Sequence, residues 1–100
     1  MIKHIVFWKL KDSHEGKTKP EIADDLRIRI TKLCESISTM KKFDVAVIGD
    51  ENEMAVDLVL YSEFDSWEGL RTYAEHPDHV AFKSYIQERR TERRVADYEV

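Results

Sequence analysis

The sequence predicts an α+β fold with an antiparallel sheet and the element order β-α-β-β-α-β, the order of ferredoxin-like domains. Three observations support this prediction. A strand pattern opens the chain, a long helical pattern follows it, and two adjacent strand patterns precede a helical region that Pro77 divides in two. Such a fold packs its helices on one face of the sheet. With 100 residues, the chain is expected to form a single domain over residues 1–100.

The first predicted strand covers residues 2–10, which are rich in β-branched and aromatic side chains. Its odd positions are apolar only at the centre, at Ile5 and Phe7. Its even positions form an apolar face that includes one histidine: Ile2, His4, Val6, Trp8 and Leu10. We expect this even face to meet the helices. A polar loop is predicted over residues 12–19.

A long helix is predicted to begin at Pro20, because proline is favoured in the first turn of a helix. Its apolar residues follow the three-to-four spacing of one buried stripe: Ile22, Leu26, Ile30, Leu33 and Ile37. The charged residues between them are expected to face solvent. The helix is predicted to end around residues 38–41.

Two further strands are predicted over residues 43–48 and 54–64, paired as a hairpin across a turn at residues 49–52. In the second of these strands the side chains alternate between the two faces of the sheet. Leu58 and Leu60 share one face, and Val59 and Tyr61 share the other.

The second helical region is predicted to break at His76, because a residue before proline is disfavoured in a helix. One helix is capped by Asp65 or Ser66 and ends near Glu75, and the next runs from Pro77 to about residue 90. The residues predicted to face inward are Trp67, Leu70 and either Tyr73 or Ala74 in the first helix, and Val80, either Phe82 or the stem of Lys83, Tyr85 and Ile86 in the second. A last strand is predicted over residues 94–100.

One face of the predicted sheet has no helices to cover it. Four apolar side chains are expected there: Ile5, Phe7, Val59 and Tyr61. Monomeric proteins rarely expose a contiguous patch of this kind. We therefore predict a two-fold homodimer that packs sheet against sheet through these residues.

The candidate functional residues are His4, Tyr73 and His79, which are expected to converge on a cavity between sheet and helices. His79 falls in the first turn of a helix, where the dipole opposes added positive charge and favours a neutral imidazole. Five side chains are predicted to form the apolar wall: Val6, Trp8, Leu58, Leu60 and Phe82. Two interpretations remain open, a structural polar network and an acid/base pair acting on a carbonyl compound.

A metal site is not predicted. His76, Asp78 and His79 have suitable ligand types, but the helix break removes the fixed i,i+3 geometry and no Cys or Glu at a set spacing completes the set. Cys34 is the only cysteine, so no intrachain disulfide or CxxC site can form. We expect the protein to need no metal and no organic cofactor.

Charge argues against two classes of partner. The net charge is −4, and the only basic cluster, residues 89–94, is predicted to be a solvated helix end. Neither nucleic acid nor an anionic membrane is therefore an expected partner. The sequence has no signal-peptide h-region at its start and no apolar run of membrane-spanning length, which favours a cytoplasmic location.

The chain resembles the Dabb family, the stress-responsive dimeric α/β-barrel domains. The matching segments are MIKHIVFWKLKD at residues 1–12, DLVLYSEFDS at residues 57–66, YAEHPDHV at residues 73–80, and Asp97-Tyr98 near the end. The resemblance implies a ferredoxin-like subunit whose sheet joins a partner's sheet to form a dimeric barrel.

A few plant members of that family are polyketide cyclases that close a poly-β-keto chain without a cofactor. The histidine and tyrosine positions of the cyclase pocket match His4, Tyr73 and His79 here. A further cyclase histidine on the third strand is replaced by Leu58. Two functions remain open. The first is a noncatalytic dimer that binds a small apolar or aromatic molecule, which the replacement of the cyclase histidine by Leu58 favours. The second is a cofactor-independent enzyme acting on a β-keto or phenolic compound.

Overall fold

The computed structural model describes residues 1–100 and confirms the predicted ferredoxin-like α+β fold. The strands are β1 (Ile2–Leu10), β2 (Ser13–His14), β3 (Lys17–Thr18), β4 (Met40–Val47), β5 (Leu58–Phe64) and β6 (Arg90–Glu99). The helices are α1 (Lys19–Glu35), α2 (Trp67–Glu75) and α3 (Pro77–Gln87). The main sheet has the strand order β4-β5-β1-β6, and all neighbouring strands are antiparallel.

The two faces of the sheet differ as the alternation in β1 predicted. Every even residue from Ile2 to Leu10 is buried, and every odd residue of β1 is half-buried. In β5, which pairs with β1, Leu58, Leu60 and Ser62 are buried on the same side as the even face of β1. The helices cover this side, so the main core lies between α1, α3 and the inner side chains of the sheet.

Helix α1 begins at Lys19 because its N-terminus is satisfied by a capping box. The Thr18 hydroxyl accepts from the Glu21 backbone N–H at 3.4 Å, and the Glu21 carboxylate accepts from the Thr18 backbone N–H at 3.0 Å. The predicted stripe is buried along its whole length. The helix ends at Glu35, earlier than predicted, although Ile37 beyond its end is still buried.

Two predicted loops differ in the structure. The polar loop before α1 contains a small hairpin, β2-β3, which turns at Glu15 and Gly16, both with positive φ. The β4-β5 hairpin is confirmed, but its connection spans residues 48–57 and is longer than the predicted turn. The Asp57 carboxylate at the end of this connection accepts a hydrogen bond from the Leu10 backbone N–H at 2.8 Å. Two backbone hydrogen bonds also hold this part of the chain, from the Ile48 N–H to the Asp57 carbonyl at 2.8 Å and from the Asp57 N–H to the Trp8 carbonyl at 2.9 Å.

The helix break at His76 is confirmed. Its backbone is extended (φ −62°, ψ 134°), its imidazole Nδ1 accepts from the Asp78 backbone N–H at 3.1 Å, and Pro77 begins α3. Ser66 caps α2 in the same way, accepting from the Gly69 backbone N–H at 3.1 Å.

Two predicted inward residues are instead exposed. Trp67, the first residue of α2, has 44% of its surface exposed, and Val80 has 52%. Val80 lies about 200° around α3 from Phe82, at roughly 100° per residue, and so cannot share its buried side. The structure also ends α3 at Gln87 and begins β6 at Arg90, so the basic cluster of residues 89–94 is largely strand and not a helix end.

Cys34 is buried and unpaired, and burial raises the pKa of its thiol to about 12. It packs in the core as a small apolar side chain. None of the helices is long and apolar enough to cross a membrane.

Candidate functional site

A small cavity lies between the helix-facing side of the sheet and α3, with a volume of about 50 Å³. The structure brings His4, Tyr73 and His79 together in its wall. Of the predicted apolar wall, Val6, Trp8, Leu60 and Phe82 line the cavity. Leu58 does not, because it is fully buried in the core behind that wall.

His4 is held by a carboxylate that sequence reasoning missed. Only 6% of its surface is exposed, and its Nδ1–H donates a hydrogen bond to the Asp97 carboxylate. The two residues are direct neighbours in the register of β1 and β6. Because Nδ1 carries the proton in this pair, Nε2 is the remaining ring nitrogen, and no group of the chain bonds to it. The sequence shows Asp97 only as an acidic residue in the last predicted strand. Its contact with His4 can be inferred only when the pairing register of β1 and β6 is known.

Tyr73 is buried in the last turns of α2, with 3% of its surface exposed. Its ring packs edge-on against His4 with 5.9 Å between ring centroids and lies 5.7 Å from the ring of Phe64. Burial raises the pKa of the Tyr73 phenol well above its usual range, so the hydroxyl stays protonated. That hydroxyl has no hydrogen-bond partner within the chain and is available as a donor.

His79 occupies the first turn of α3, and its ring centroid lies 4.4 Å from that of Tyr73. Its Nδ1–H donates to the Ala74 carbonyl at 2.9 Å, one of the carbonyls that the end of α2 leaves without a helical partner. Burial is the main cause that lowers the pKa of His79 below its ordinary value of 6.5. The ring is therefore neutral at pH 7, and its Nε2 is a free proton acceptor.

These three rings form a continuous row in which Tyr73 contacts both histidines. The row combines a phenol that can donate with a neutral imidazole that can accept a proton. This is the pairing that general acid–base chemistry on a carbonyl compound uses.

The mouth of the cavity carries side chains that sequence reasoning did not place there. Lys83 and Gln87 come from the exposed side of α3, and Arg90 and Arg93 come from the start of β6. Arg93 lies opposite Trp8 in the sheet register. The sequence predicts the basic cluster to be a solvated helix end, whereas the structure places most of it in β6.

The opposite, outer face of the sheet brings the four predicted interface residues together. Ile5 pairs with Tyr61 and Phe7 pairs with Val59 in the β1-β5 register, and all four are half-buried in the single chain. Tyr61 also belongs to a polar network at the edge of this face. Its hydroxyl accepts from Lys3 Nζ at 2.5 Å and donates to Glu63 Oε2 at 2.5 Å.

The metal-ligand types near the helix break do not assemble. His76 Nδ1 is occupied by the Asp78 backbone N–H, and His79 Nδ1 by Ala74. No three His, Cys, Asp or Glu side chains lie together as a metal site would require.

A family model described as the stress responsive A/B barrel domain matches residues 2–100. Among solved structures, a dimeric protein of unknown function with a ferredoxin-like fold from Bacteroides fragilis is 33% identical. The match covers 99% of this chain and 95% of that one, with a TM-score of 0.84. A search of curated proteins finds no significant match.

Two more distant structures are similar in fold. A dimeric ferredoxin-like protein of unknown function from Thermobifida fusca is 21% identical over 99% of this chain and 90% of that chain, with a TM-score of 0.84. A hydroxynitrile lyase from Passiflora edulis is 16% identical over 99% of this chain and 92% of that chain, with a TM-score of 0.80. At these identities the likeness concerns the fold.

Proposed function

The chain belongs to the stress-responsive A/B barrel (Dabb) family, and from this premise we propose that it is a homodimer that binds a small apolar or aromatic molecule in the cavity beside His4, Tyr73 and His79. The observation that supports binding is a set of polar atoms without partners beside the apolar part of the cavity wall. The Tyr73 hydroxyl, His4 Nε2 and His79 Nε2 have no partner within the chain, while Val6, Trp8, Leu60 and Phe82 surround them.

Hydrophobic walls with a few convergent polar groups are the usual composition of small-molecule sites. The Tyr73 hydroxyl is not among the fully buried polar atoms that lack a partner, so a ligand oxygen that accepts its hydrogen bond would take the place of water. We therefore assign the Tyr73 hydroxyl the role of recognising one polar oxygen on an otherwise apolar ligand.

Dimerisation is supported by the outer face of the sheet. Ile5, Phe7, Val59 and Tyr61 form a contiguous patch on the side opposite the helices. The Bacteroides fragilis relative, which is 33% identical, is described as dimeric. A sheet-on-sheet interface of standard size buries about 1,600 Å² in total, which is adequate for a stable pair.

The binding proposal predicts a selective effect of Tyr73→Phe, which removes only the hydroxyl. In a Trp67→Phe background Trp8 is the only tryptophan, and its fluorescence reports on the cavity. We expect Tyr73→Phe to lower the affinity for acetophenone, whose carbonyl accepts a hydrogen bond, by about fivefold to tenfold. Ethylbenzene, which has the same shape without the oxygen, should bind both proteins equally. Tyr98→Phe, at a tyrosine with 43% of its surface exposed, is the control. Equal acetophenone affinity in the Tyr73 variant would contradict the assignment.

A second candidate function is a cofactor-free enzyme acting on β-keto or phenolic compounds. The geometry of His79 favours it, because Nδ1 is fixed on the Ala74 carbonyl and Nε2 is free beside the Tyr73 ring. In such a reaction His79 Nε2 takes the proton from the carbon next to a carbonyl. Tyr73 stabilises the enolate oxygen by donating a hydrogen bond.

The enzyme hypothesis predicts catalysed exchange of the α-protons of ethyl benzoylacetate for deuterium, followed by NMR in D₂O against a buffer blank. His79→Gln should abolish the exchange above the blank and leave the fold intact. The base works only when neutral and its pKa is lowered below 6.5. The rate should therefore be fully present near pH 7 and fall as the pH drops through the pKa of His79. A rate equal to the blank in the wild-type protein would leave binding as the function.

A further inference from the structure

We propose that the ligand of this cavity is an acid, with a carboxylate bound at the mouth by Arg90, Arg93 and Lys83. This inference rests on the proposed binding function and adds the chemical class of the ligand. An apolar body, a single ring or a short chain, would lie against Val6 and Phe82.

The charge around the cavity is the first observation. The chain has 20 acidic and 16 basic residues, yet the cavity wall contains no Asp or Glu and three cations. The whole protein has a negative net charge, whereas the side chains that line this cavity have a positive one. A positive cavity in an acidic protein attracts and concentrates an anion.

The second observation is that the three cationic side chains have no partner within the fold. Several other basic side chains of the sheet and helices are paired, as Arg29 is with Asp25 at 3.1 Å and Arg94 is with Glu92 at 3.3 Å. Arg90, Arg93 and Lys83 form no ion pair and no side-chain hydrogen bond. Arg90 and Arg93 are also half-buried, so part of their hydration is already lost. Arginine presents a planar fork of donors that matches the two oxygens of a carboxylate.

A third observation comes from Trp8, the cross-strand neighbour of Arg93. Trp8 lines the cavity with 4% of its surface exposed, and its indole N–H is buried without an acceptor. The register places Arg93 beside Trp8, so this end of the cavity presents the donors of two guanidinium groups and an ammonium group. Gln87 beside them can donate as well. A carboxylate, which only accepts hydrogen bonds, is the group that satisfies such a set.

The two polar regions belong to one space. Arg93, Tyr73 and His79 line the same cavity. An acid held by Arg93 would therefore place its body beside the Tyr73 hydroxyl. The expected ligand has a carboxylate at one end and, at the other, the polar oxygen that Tyr73 recognises.

The test compares benzoate with benzyl alcohol, which keeps the ring and lacks the charge, using Trp8 fluorescence in the Trp67→Phe background. We expect benzoate to bind about tenfold more tightly, because hydrogen bonds between charged groups exceed neutral ones in strength. Raising the salt concentration should reduce the difference in affinity between benzoate and benzyl alcohol, because salt screens the charge. Arg93→Gln and Arg90→Gln should each remove most of the benzoate preference and leave benzyl alcohol unchanged. Arg27→Gln, at a solvated arginine paired with Asp24 on α1, is the matched control.

The outcomes separate this inference from the function on which it rests. Equal binding of the two probes, or a benzoate preference that survives in both arginine variants, would contradict the proposal that the ligand is an acid. The cavity would then be a site for a neutral ligand. No binding of either probe, together with no response to acetophenone, would overturn the binding function and this inference with it. Circular dichroism spectra that match the wild-type protein exclude misfolding of the variants as the cause.

Discussion

Val59→Asp is expected to convert the proposed homodimer into a folded monomer. Val59 lies at the centre of the outer face between Phe7 of β1 and Ala46 of β4, with no basic residue directly opposite it in either register. In a two-fold interface the substitution occurs twice, so two carboxylates would be buried without partners. At about 2 kcal/mol or more for each, the dissociation constant should rise about a thousandfold. Light scattering at micromolar concentration should report a dimer for the wild-type chain and a monomer for the variant.

The fold of the Val59→Asp monomer should survive, because the side chain points away from the helices and is hydrated once the partner is gone. Val80→Asp is the matched control, since that valine is already 52% exposed on α3. It should leave the oligomeric state unchanged. A wild-type protein that is monomeric at micromolar concentration, or a Val59→Asp protein that remains dimeric, would contradict an interface on this face.

Phe64→Ala should lower the free energy of unfolding by about 3–5 kcal/mol, the range for removing a fully buried phenylalanine. Phe64 has no exposed surface and belongs to the core group Ile2, Leu33, Ile37, Leu70 and Tyr73. Single domains are stable by only about 5–15 kcal/mol, so this loss is a large part of the total. Chemical denaturation at fixed protein concentration measures it, because dimerisation makes the apparent stability depend on concentration.

The effect of Phe64→Ala should reach the cavity as well. The Phe64 ring supports the rings of Tyr73 and His4, at centroid distances of 5.7 and 6.5 Å. The space left by the Phe64 ring allows both of these rings to move, so the affinity for acetophenone should fall together with the free energy of unfolding. Phe43→Ala, at a half-buried position of β4, should have a clearly smaller effect on both quantities. Equal losses in the two variants would show that the Phe64 group does not organise the site.

The local features of the fold were predictable because short-range rules govern them. Alternation in residues 2–10 identified the buried face of β1, the spacing of apolar residues identified the stripe of α1, and Pro77 identified the helix break. Each depends on side-chain direction or backbone sterics within a few residues. The errors fell at element ends, where tertiary contacts compete. Strand β5 begins at Leu58, later than predicted, and Trp67 is left exposed at the first position of α2.

By itself the sequence determined the order of elements, the two faces of the sheet, and the expected meeting of His4, Tyr73 and His79. Only the tertiary structure decided how these groups are held and what surrounds them. Asp97 reaches His4 across 93 positions, and Arg93 comes to lie opposite Trp8, because the register of β6 against β1 brings them together. Strand register depends on the packing of the whole sheet, so composition and local periodicity carry no record of it. For the same reason, a basic run that looked solvated in the sequence became the mouth of a cavity in the fold.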